Sequence, residues 1–286
     1  MFRSGLVAFV ALFSVTATGW AYDIKPKIPE TAFTKKLQPD IVGMSSNIEG
    51  SKASPIFEAY LKDLPGVKPE ATQQKFGGTN VTYVTSMKFV SPATSNHPGE
   101  SMMAAFSSPA SSNRAYYISR NLGFAAGKQP SKSEMIESVR AKYGVPTAIG
   151  DGRIYYFYKA GKTMSVKQKY TPASALDALN APINTKAAVA LNDSNGRGSC
   201  VAELKRVQTL EKALDKLVTE AKTANCDGLL TVEISPGITP DRVGKAEFTL
   251  IDFKQIISAA KIDADAFAAE KNEALNKTPL GNAPKL

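Results

Sequence analysis

Apolar residues recur at helical spacing in some stretches of the chain and alternate with polar residues in others. The clearest helical pattern lies in 131–146, where Ser131 and Glu134 form a capping box. Its apolar face consists of Met135, Val139 and Tyr143. Gly144 suits the positive φ of a helix end, and Pro146 cannot continue the helix. The pattern predicts a helix that stops sharply and leads into an extended segment.

Period-two alternation and β-branched or aromatic residues predict strands around this helix. The candidates are 80–90, 101–107, 114–120, 153–158 and 163–170. The first three are separated by turn-forming residues, which is typical of an antiparallel meander. The last two predict a hairpin that turns at Ala160-Gly161. An earlier helix is expected from Ser54 as its N-cap and Pro55 as its first residue, ending before Pro65-Gly66.

The second half of the chain repeats this alternation of patterns. Strands are expected from Cys200, from Cys226 and over 243–253, with an amphipathic helix over 209–225 and a closing helix over 254–270. The sequence therefore predicts an α+β fold of two-layer antiparallel sheets with packed helices, arranged in two consecutive units. The expected segments are a signal peptide (1–21), an extended arm (22–40), an α+β module (41–170), a linker (171–195), a second α/β unit (196–270) and a mobile tail (271–286).

The N-terminus has the three parts of a signal peptide. Arg3 precedes an apolar run over 6–15, and Gly19 and Ala21 occupy the positions before a cleavage site. Cleavage after Ala21 predicts a periplasmic or secreted protein with no transmembrane segment. The alternative is an uncleaved membrane anchor, although the apolar run is shorter than a spanning helix requires.

Composition adds a basic character to a chain of ordinary globular hydrophobicity. Of 286 residues, 43% are hydrophobic and the formal net charge is +9. A basic exported protein is attracted to anionic lipid surfaces, peptidoglycan or acidic partner proteins. Because the basic residues are scattered, they also fit a solvated surface without a ligand. Nucleic acid is not an expected partner.

The two cysteines, Cys200 and Cys226, predict one structural disulfide, because an even count is typical of exported chains. A redox-active pair is the alternative, but it normally requires Cys-x-x-Cys spacing. His97 is the only histidine and lies in a Pro/Gly loop, so we expect a solvated side chain and no metal site built on several histidines. No phosphate-binding loop, dinucleotide-binding motif or calcium loop is present, so no cofactor is expected.

Tyrosines concentrate on two strand candidates and give the only candidate binding residues. They are Tyr116, Tyr117, Tyr155, Tyr156 and Tyr158, with Arg153 beside them. An exposed row of tyrosines next to basic residues could hold a glycan or a partner chain. The alternative is aromatic packing across strands inside the fold.

The capped helix, the Tyr-Gly-x-Pro stop and the aromatic strand that follows resemble the SmpA/OmlA group of outer-membrane assembly lipoproteins. The residues concerned are Val139, Tyr143, Gly144, Pro146 and 155–158, with an earlier Gly-Met at 43–44. The resemblance covers 41–170 and implies the two-layer fold of the β-lactamase-inhibitor-protein family. The chain departs from that group because it has no lipidation cysteine and carries a long insert after Gly43. It also looks like uncharacterised exported proteins of alphaproteobacteria, which implies no activity.

These observations favour a non-catalytic exported protein that binds an envelope partner through a basic, tyrosine-bearing sheet face. One alternative is an exported hydrolase with a carboxylate site, which is defined by geometry and not by a motif. Another, from fold analogy alone, is an enzyme-inhibitor-like protein. A pocket with clustered acids of shifted pKa would favour the hydrolase.

Overall fold

The structure, a computed structural model, describes residues 24–62, 64, 66–77, 79–94, 97–164, 174–182, 214–224 and 226–277. It has an α+β fold, as predicted. The strands are β1 (Asp40–Ile41), β2 (Met44–Ser45), β3 (Glu70–Lys75), β4 (Thr82–Ser91), β5 (Gly99–Phe106), β6 (Ala115–Gly123), β7 (Ala148–Gly150), β8 (Arg153–Lys159), β9 (Lys162–Thr163), β10 (Gly228–Pro236) and β11 (Val243–Asp252). The helices are α1 (Gly50–Leu61), α2 (Lys132–Tyr143), α3 (Ala175–Asn180), α4 (Leu214–Thr223) and α5 (Phe253–Lys277).

One antiparallel sheet of nine strands organises the described chain. Its order is β3-β4-β5-β6-β11-β10-β8-β7, and β9 also pairs with β8. β1 and β2 form a separate short pair. The predicted meander is confirmed, since β4, β5 and β6 correspond to its three strand candidates and pair in sequence.

Alternate residues of the central strands enter two different cores. On β8, Ile154, Tyr156 and Tyr158 join a core that contains side chains of α1, α2 and α3. Tyr155 and Phe157 point the other way, into a core shared with α4 and α5. Helices therefore cover both faces of the sheet. The predicted two-layer arrangement is wrong, and the described chain has three layers.

Strands that the sequence assigned to two consecutive units share this sheet. β10 and β11, from the second unit, lie between β6 and β8, from the first. Leu230 pairs with Tyr156, and Leu250 pairs with Ile118, so the join is continuous and buried. The sheet therefore does not divide into two consecutive units along the chain. The reason is physical: strand pairing over long distances along the chain leaves no mark on local periodicity.

The capped helix and its stop are confirmed in detail. The Ser131 Oγ accepts a bond from the Glu134 N–H at 3.1 Å, and the Glu134 carboxylate accepts one from the Ser131 N–H at 2.8 Å. Gly144 has φ of 82° and donates its N–H to the Arg140 carbonyl. A residue with a Cβ is strained at this φ, which explains the glycine.

The predicted hairpin also forms. Ala160 and Gly161 both have positive φ, 49° and 69°, as a two-residue turn of this hand requires. The returning strand β9 has two residues, and 165–170 lie outside the described residues. Residue Cys200 and the strand predicted from it, the signal peptide and most of the predicted linker lie outside them as well.

Three local predictions need correction. Helix α1 begins at Gly50 with Pro55 inside it, so Ser54 is not its N-cap; the Ser54 hydroxyl instead donates to Glu58. The exposed polar strand β3 was missed, because it lacks apolar alternation. The predicted mobile tail starts too early, since α5 continues through Lys277.

The extended arm packs on the body of the protein. Its Thr31 hydroxyl and Ala32 N–H donate to the carboxylate of Asp252, and Phe33 packs edge-to-face on Tyr158. Asp252 precedes α5 and also accepts the Gln255 N–H at 2.9 Å, as an N-cap residue does. The arm thus lies beside the start of α5.

Candidate functional site: a lysine-lined cleft

A cleft of about 420 Å³ opens where the start of α5 meets the end of α4 and the ends of two central strands. We call it the lysine cleft, because four of its lining side chains are lysines. Its lining consists of Glu30, Lys159, Ala221, Lys222, Ala224, Cys226, Asp227, Lys254, Ile257, Ser258 and Lys261. This volume lies within the range of about 300–1,000 Å³ that is typical of small-molecule sites.

Helix geometry explains one wall of the cleft. Lys254, Ile257, Ser258 and Lys261 follow one another at intervals of three, one and three residues, so they share one face of α5. The opposite face of the helix carries Ile256 into the core beneath. The same amphipathic pattern that buries the helix therefore presents two lysines to the cleft.

Backbone contacts hold the other walls in place. The Asp227 carboxylate accepts the Ala160 N–H of the hairpin turn at 2.7 Å, which fixes the end of β8 and Lys159. The Asp227 carbonyl accepts the Lys254 N–H at 2.9 Å. Glu30, from the arm, donates its N–H to Ser258 and lies 3.1 Å from the Lys254 ammonium.

The lining carries more positive than negative charge. Among the residues that the structure describes, the lining includes four lysines and two carboxylates, those of Glu30 and Asp227. In the described part of the chain, neither Lys222 nor Lys261 has an ion-pair partner. The cleft is thus suited to bind anions, and its apolar residues add contact area.

A second concentration of charge, the Glu100 network, lies inside the fold. The Glu100 side chain is 0% exposed and lies 2.6 Å from the Arg120 Nε. The Tyr60 hydroxyl donates to the same carboxylate at 2.7 Å and accepts a bond from Arg120 at 2.8 Å. Burial, followed by the bond to Glu100, raises the pKa of Tyr60 to about 12. Every partner in this network is another side chain of the fold, so it acts as a structural element.

His97 belongs to the edge of this network and is not the solvated side chain that the sequence predicts. Its side chain is 27% exposed, and Nε2 lies 3.7 Å from Glu100. The other ring nitrogen lies 2.7 Å from the Pro98 carbonyl oxygen. Within the described ranges, no group of three or more histidine, cysteine or acidic residues could hold a metal ion.

The acids with raised pKa lie outside the lysine cleft. Burial raises the pKa of Asp252, which binds the arm through Thr31 and Ala32 and also accepts the Ser46 hydroxyl. Burial likewise raises the pKa of Asp263, which accepts the Ser108 hydroxyl. Neither lines the cleft. The structure therefore lacks, among the residues it describes, the clustered acids that would favour a hydrolase.

The predicted row of exposed tyrosines is wrong. Tyr116, Tyr117, Tyr155, Tyr156 and Tyr158 are all 2% exposed or less. They pack inside both cores, which is the alternative that the sequence left open. Burial raises the pKa of Tyr117 and of Tyr156 to about 12. Because helices cover both faces of the sheet, these tyrosines form no exposed binding surface.

The remaining predicted site residues have separate roles. Arg153 donates two bonds from its guanidinium to Glu233 on the neighbouring strand β10. Cys226 is buried and lines the lysine cleft, whereas Cys200 lies outside the described residues. The disulfide between them stays a prediction.

Comparisons of the chain with protein-family models, with curated proteins and with solved structures found no match. The resemblance to SmpA/OmlA modules stays a hypothesis. Of the helices that the structure describes, none is both long and apolar enough to cross a membrane.

Sequence reasoning missed the lysine cleft, because its residues come from four separate segments of the chain. One part of the signal was readable: two lysines seven residues apart flank Ile257 on an otherwise amphipathic helix. The convergence of Lys159 and Lys222 on the same cleft depends on strand pairing and helix packing.

Proposed function

We propose that this is an exported, non-catalytic protein that binds anionic groups of the cell envelope in the lysine cleft. The observation that carries the proposal is that four lysines and two carboxylates, of the residues described, line one cleft. The predicted signal peptide is consistent with a periplasmic or secreted location. The phosphate groups of anionic lipids and the carboxylate groups of peptidoglycan both fit the charge of the cleft.

A pair of charge-matched variants tests the proposal. The first replaces the four cleft lysines, Lys159, Lys222, Lys254 and Lys261, with glutamine. The control replaces four exposed lysines elsewhere, Lys52, Lys68, Lys75 and Lys128, with glutamine. Both variants have the same net charge, so any difference between them arises from position and not from overall charge.

Binding is measured separately to inorganic phosphate, to vesicles with an anionic lipid and to isolated peptidoglycan. We expect the cleft variant to lose binding to at least one of these and the control variant to retain it. Because exposed ion pairs are screened by salt, the binding should also weaken between 50 and about 500 mM NaCl. Equal binding by the two variants, or no binding by the unmodified protein, would overturn the proposal.

One observation favours the hydrolase alternative: Glu30 and Asp227 both line the cleft. Each already has a partner, since Glu30 pairs with Lys254 and Asp227 accepts the Ala160 N–H. Turnover of chromogenic glycosides or esters by the protein, abolished in Asp227→Asn with the fold intact, would support this alternative over binding alone.

A further inference from the structure

The charges of the lysine cleft are spread along it and do not meet at one point. Lys254 and Lys261 lie seven positions apart on α5, which corresponds to about 10 Å along a helix axis. Ile257 lies between them, with 37% of its surface exposed. Ala221 and Ala224 add further apolar lining. The α5 wall of the cleft thus has a lysine at each end and the apolar Ile257, next to Ser258, in its middle.

The two lysines differ in whether a carboxylate of the protein already neutralises their charge. At the Lys254 end, the ammonium lies 3.1 Å from Glu30, and the Lys254 N–H binds the carbonyl of Asp227. Lys261 has no such ion pair among the described residues. An anionic group can therefore bind directly at the Lys261 end, whereas at the Lys254 end it must share the ammonium with Glu30.

We propose that the lysine cleft selects an elongated ligand with two anionic groups joined by an apolar spacer. The inference rests on the anion-binding function proposed above and specifies its ligand class. A compact anion can occupy only one end and leaves the exposed part of Ile257 in water. A ligand of matching length contacts both ammonium groups and covers the apolar middle. Because lysine side chains are flexible, ligands of two neighbouring lengths should bind similarly well.

A length series of linear dicarboxylates tests this directly, with calorimetric titration of the purified protein. The probes are butanedioate, octanedioate, decanedioate and tetradecanedioate, each compared with the monocarboxylate of the same chain length. We expect the tightest binding for octanedioate or decanedioate, whose extended lengths are nearest to the two-turn spacing of about 10 Å. Each should bind about fivefold more tightly than its monocarboxylate, the effect of one added ion pair.

Single variants then assign the two ends. Lys254→Gln and Lys261→Gln should each lower the affinity for the tightest-binding dicarboxylate to that of its monocarboxylate. Affinity should then no longer peak at one ligand length. Ile257→Gln should weaken the longer ligands and leave butanedioate unchanged. Lys128→Gln, an exposed lysine outside the cleft, is the matched control and should change neither affinity nor length preference.

The outcomes separate this inference from the function on which it rests. The inference would be overturned if all mono- and dicarboxylates bound with equal affinity. If only the cleft variants then lost this binding, the anion-binding function would still stand. An equal loss in Lys128→Gln would also overturn it. Absence of binding to every carboxylate, to phosphate and to both envelope preparations would overturn both.

Discussion

The Glu100 network and the lysine cleft concentrate charge in opposite ways. In the network, one buried carboxylate is matched by Arg120 and Tyr60 at 2.6 and 2.7 Å. In the cleft, as far as the structure describes it, four exposed lysines and two carboxylates form part of the lining. The network has no surplus of charge to offer a ligand, whereas the cleft has one. Shielding from water and local charge balance, more than the number of charged residues, therefore distinguish this structural cluster from the candidate binding site.

The physical basis is the dielectric environment. A charge shielded from water is stable only with close partners, so removing one partner leaves the other at high cost. An exposed ammonium is hydrated in the free protein, so its removal costs little stability. The variants below are ordered by the size of their expected effect on the free energy of unfolding.

Arg120→Ala should have the largest effect. It leaves the carboxylate of Glu100 inside the fold without its guanidinium partner, which typically costs about 3–5 kcal/mol. Urea denaturation followed by circular dichroism measures the change. The matched control is Arg140→Ala, which removes an exposed pair with Glu137 and should cost less than about 1 kcal/mol. Equal losses in the two variants would show that the network is not a structural element.

Asp252→Ala should cost about 2–3 kcal/mol, because buried donors of the arm and of α5 lose their acceptor. The variant should also free the arm, and limited proteolysis near Thr31 would detect its release. The control is Asp241→Ala, an exposed acid outside this cluster. An arm that stays protected in Asp252→Ala would contradict this anchoring role.

The same residue predicts a pH dependence. Burial raises the pKa of Asp252 in the folded protein above its unfolded value of about 3.9, so the folded state holds this proton more tightly. Its contribution to stability is therefore complete below about pH 3.9 and is lost as the pH rises through the folded pKa. The free energy of unfolding should therefore fall between pH 3.5 and about 7 in the unmodified protein, and it should fall less in Asp252→Asn, which lacks this titration. If the free energies of unfolding of the two proteins changed in parallel with pH, the raised pKa of Asp252 would be contradicted.

Tyr60→Phe separates the hydroxyl from the ion pair in the Glu100 network. It removes the hydroxyl that bonds both Glu100 and Arg120 but keeps the ring over which the guanidinium lies, 5.5 Å from its centroid. We expect a loss of about 1.5–2 kcal/mol, in the lower part of the range for hydrogen bonds to charged groups. Thermal denaturation checks this. A loss as large as that of Arg120→Ala would indicate that the hydroxyl, and not the ion pair, holds the network together.

Glu30→Gln should have the smallest effect on stability and a distinct effect on binding. Its pair with Lys254 is exposed, so stability should change by less than about 1 kcal/mol. Affinity for the best dicarboxylate should rise about two- to fivefold, because the ligand no longer shares Lys254 with a carboxylate. Calorimetric titration measures the affinity. An unchanged or lower affinity would show that Glu30 does not compete with the ligand.

Local sequence signals predicted local structure well. The capping box at Ser131 and Glu134 and the stop at Gly144 act within four residues, so the sequence contains all their determinants. The hairpin turn at Ala160-Gly161 has the same property. Errors arose where a local pattern had a tertiary use: Pro55 lies inside α1, and β3 lacks apolar alternation because its six residues are all exposed.

The candidate site was largely beyond sequence reasoning. The tyrosines of β6 and β8 were conspicuous in the sequence, but helices on both faces bury them. The lysines of the cleft were inconspicuous, because scattered basic residues look alike before the fold is known. Exposure, which decides whether such a residue can bind a ligand, is a property of the packed molecule.

The capped helix, the meander, the hairpin turn, the amphipathic helices and the basic charge were all readable in the sequence. Three features emerge only from the folded chain: β10 and β11 lie between β6 and β8, helices cover both faces of the sheet, and Lys254, Lys222 and Lys159 line one cleft. The reason is that helix periodicity and turn chemistry act between neighbouring residues. Strand order and charge convergence instead depend on residues tens of positions apart, which only the folded core brings together.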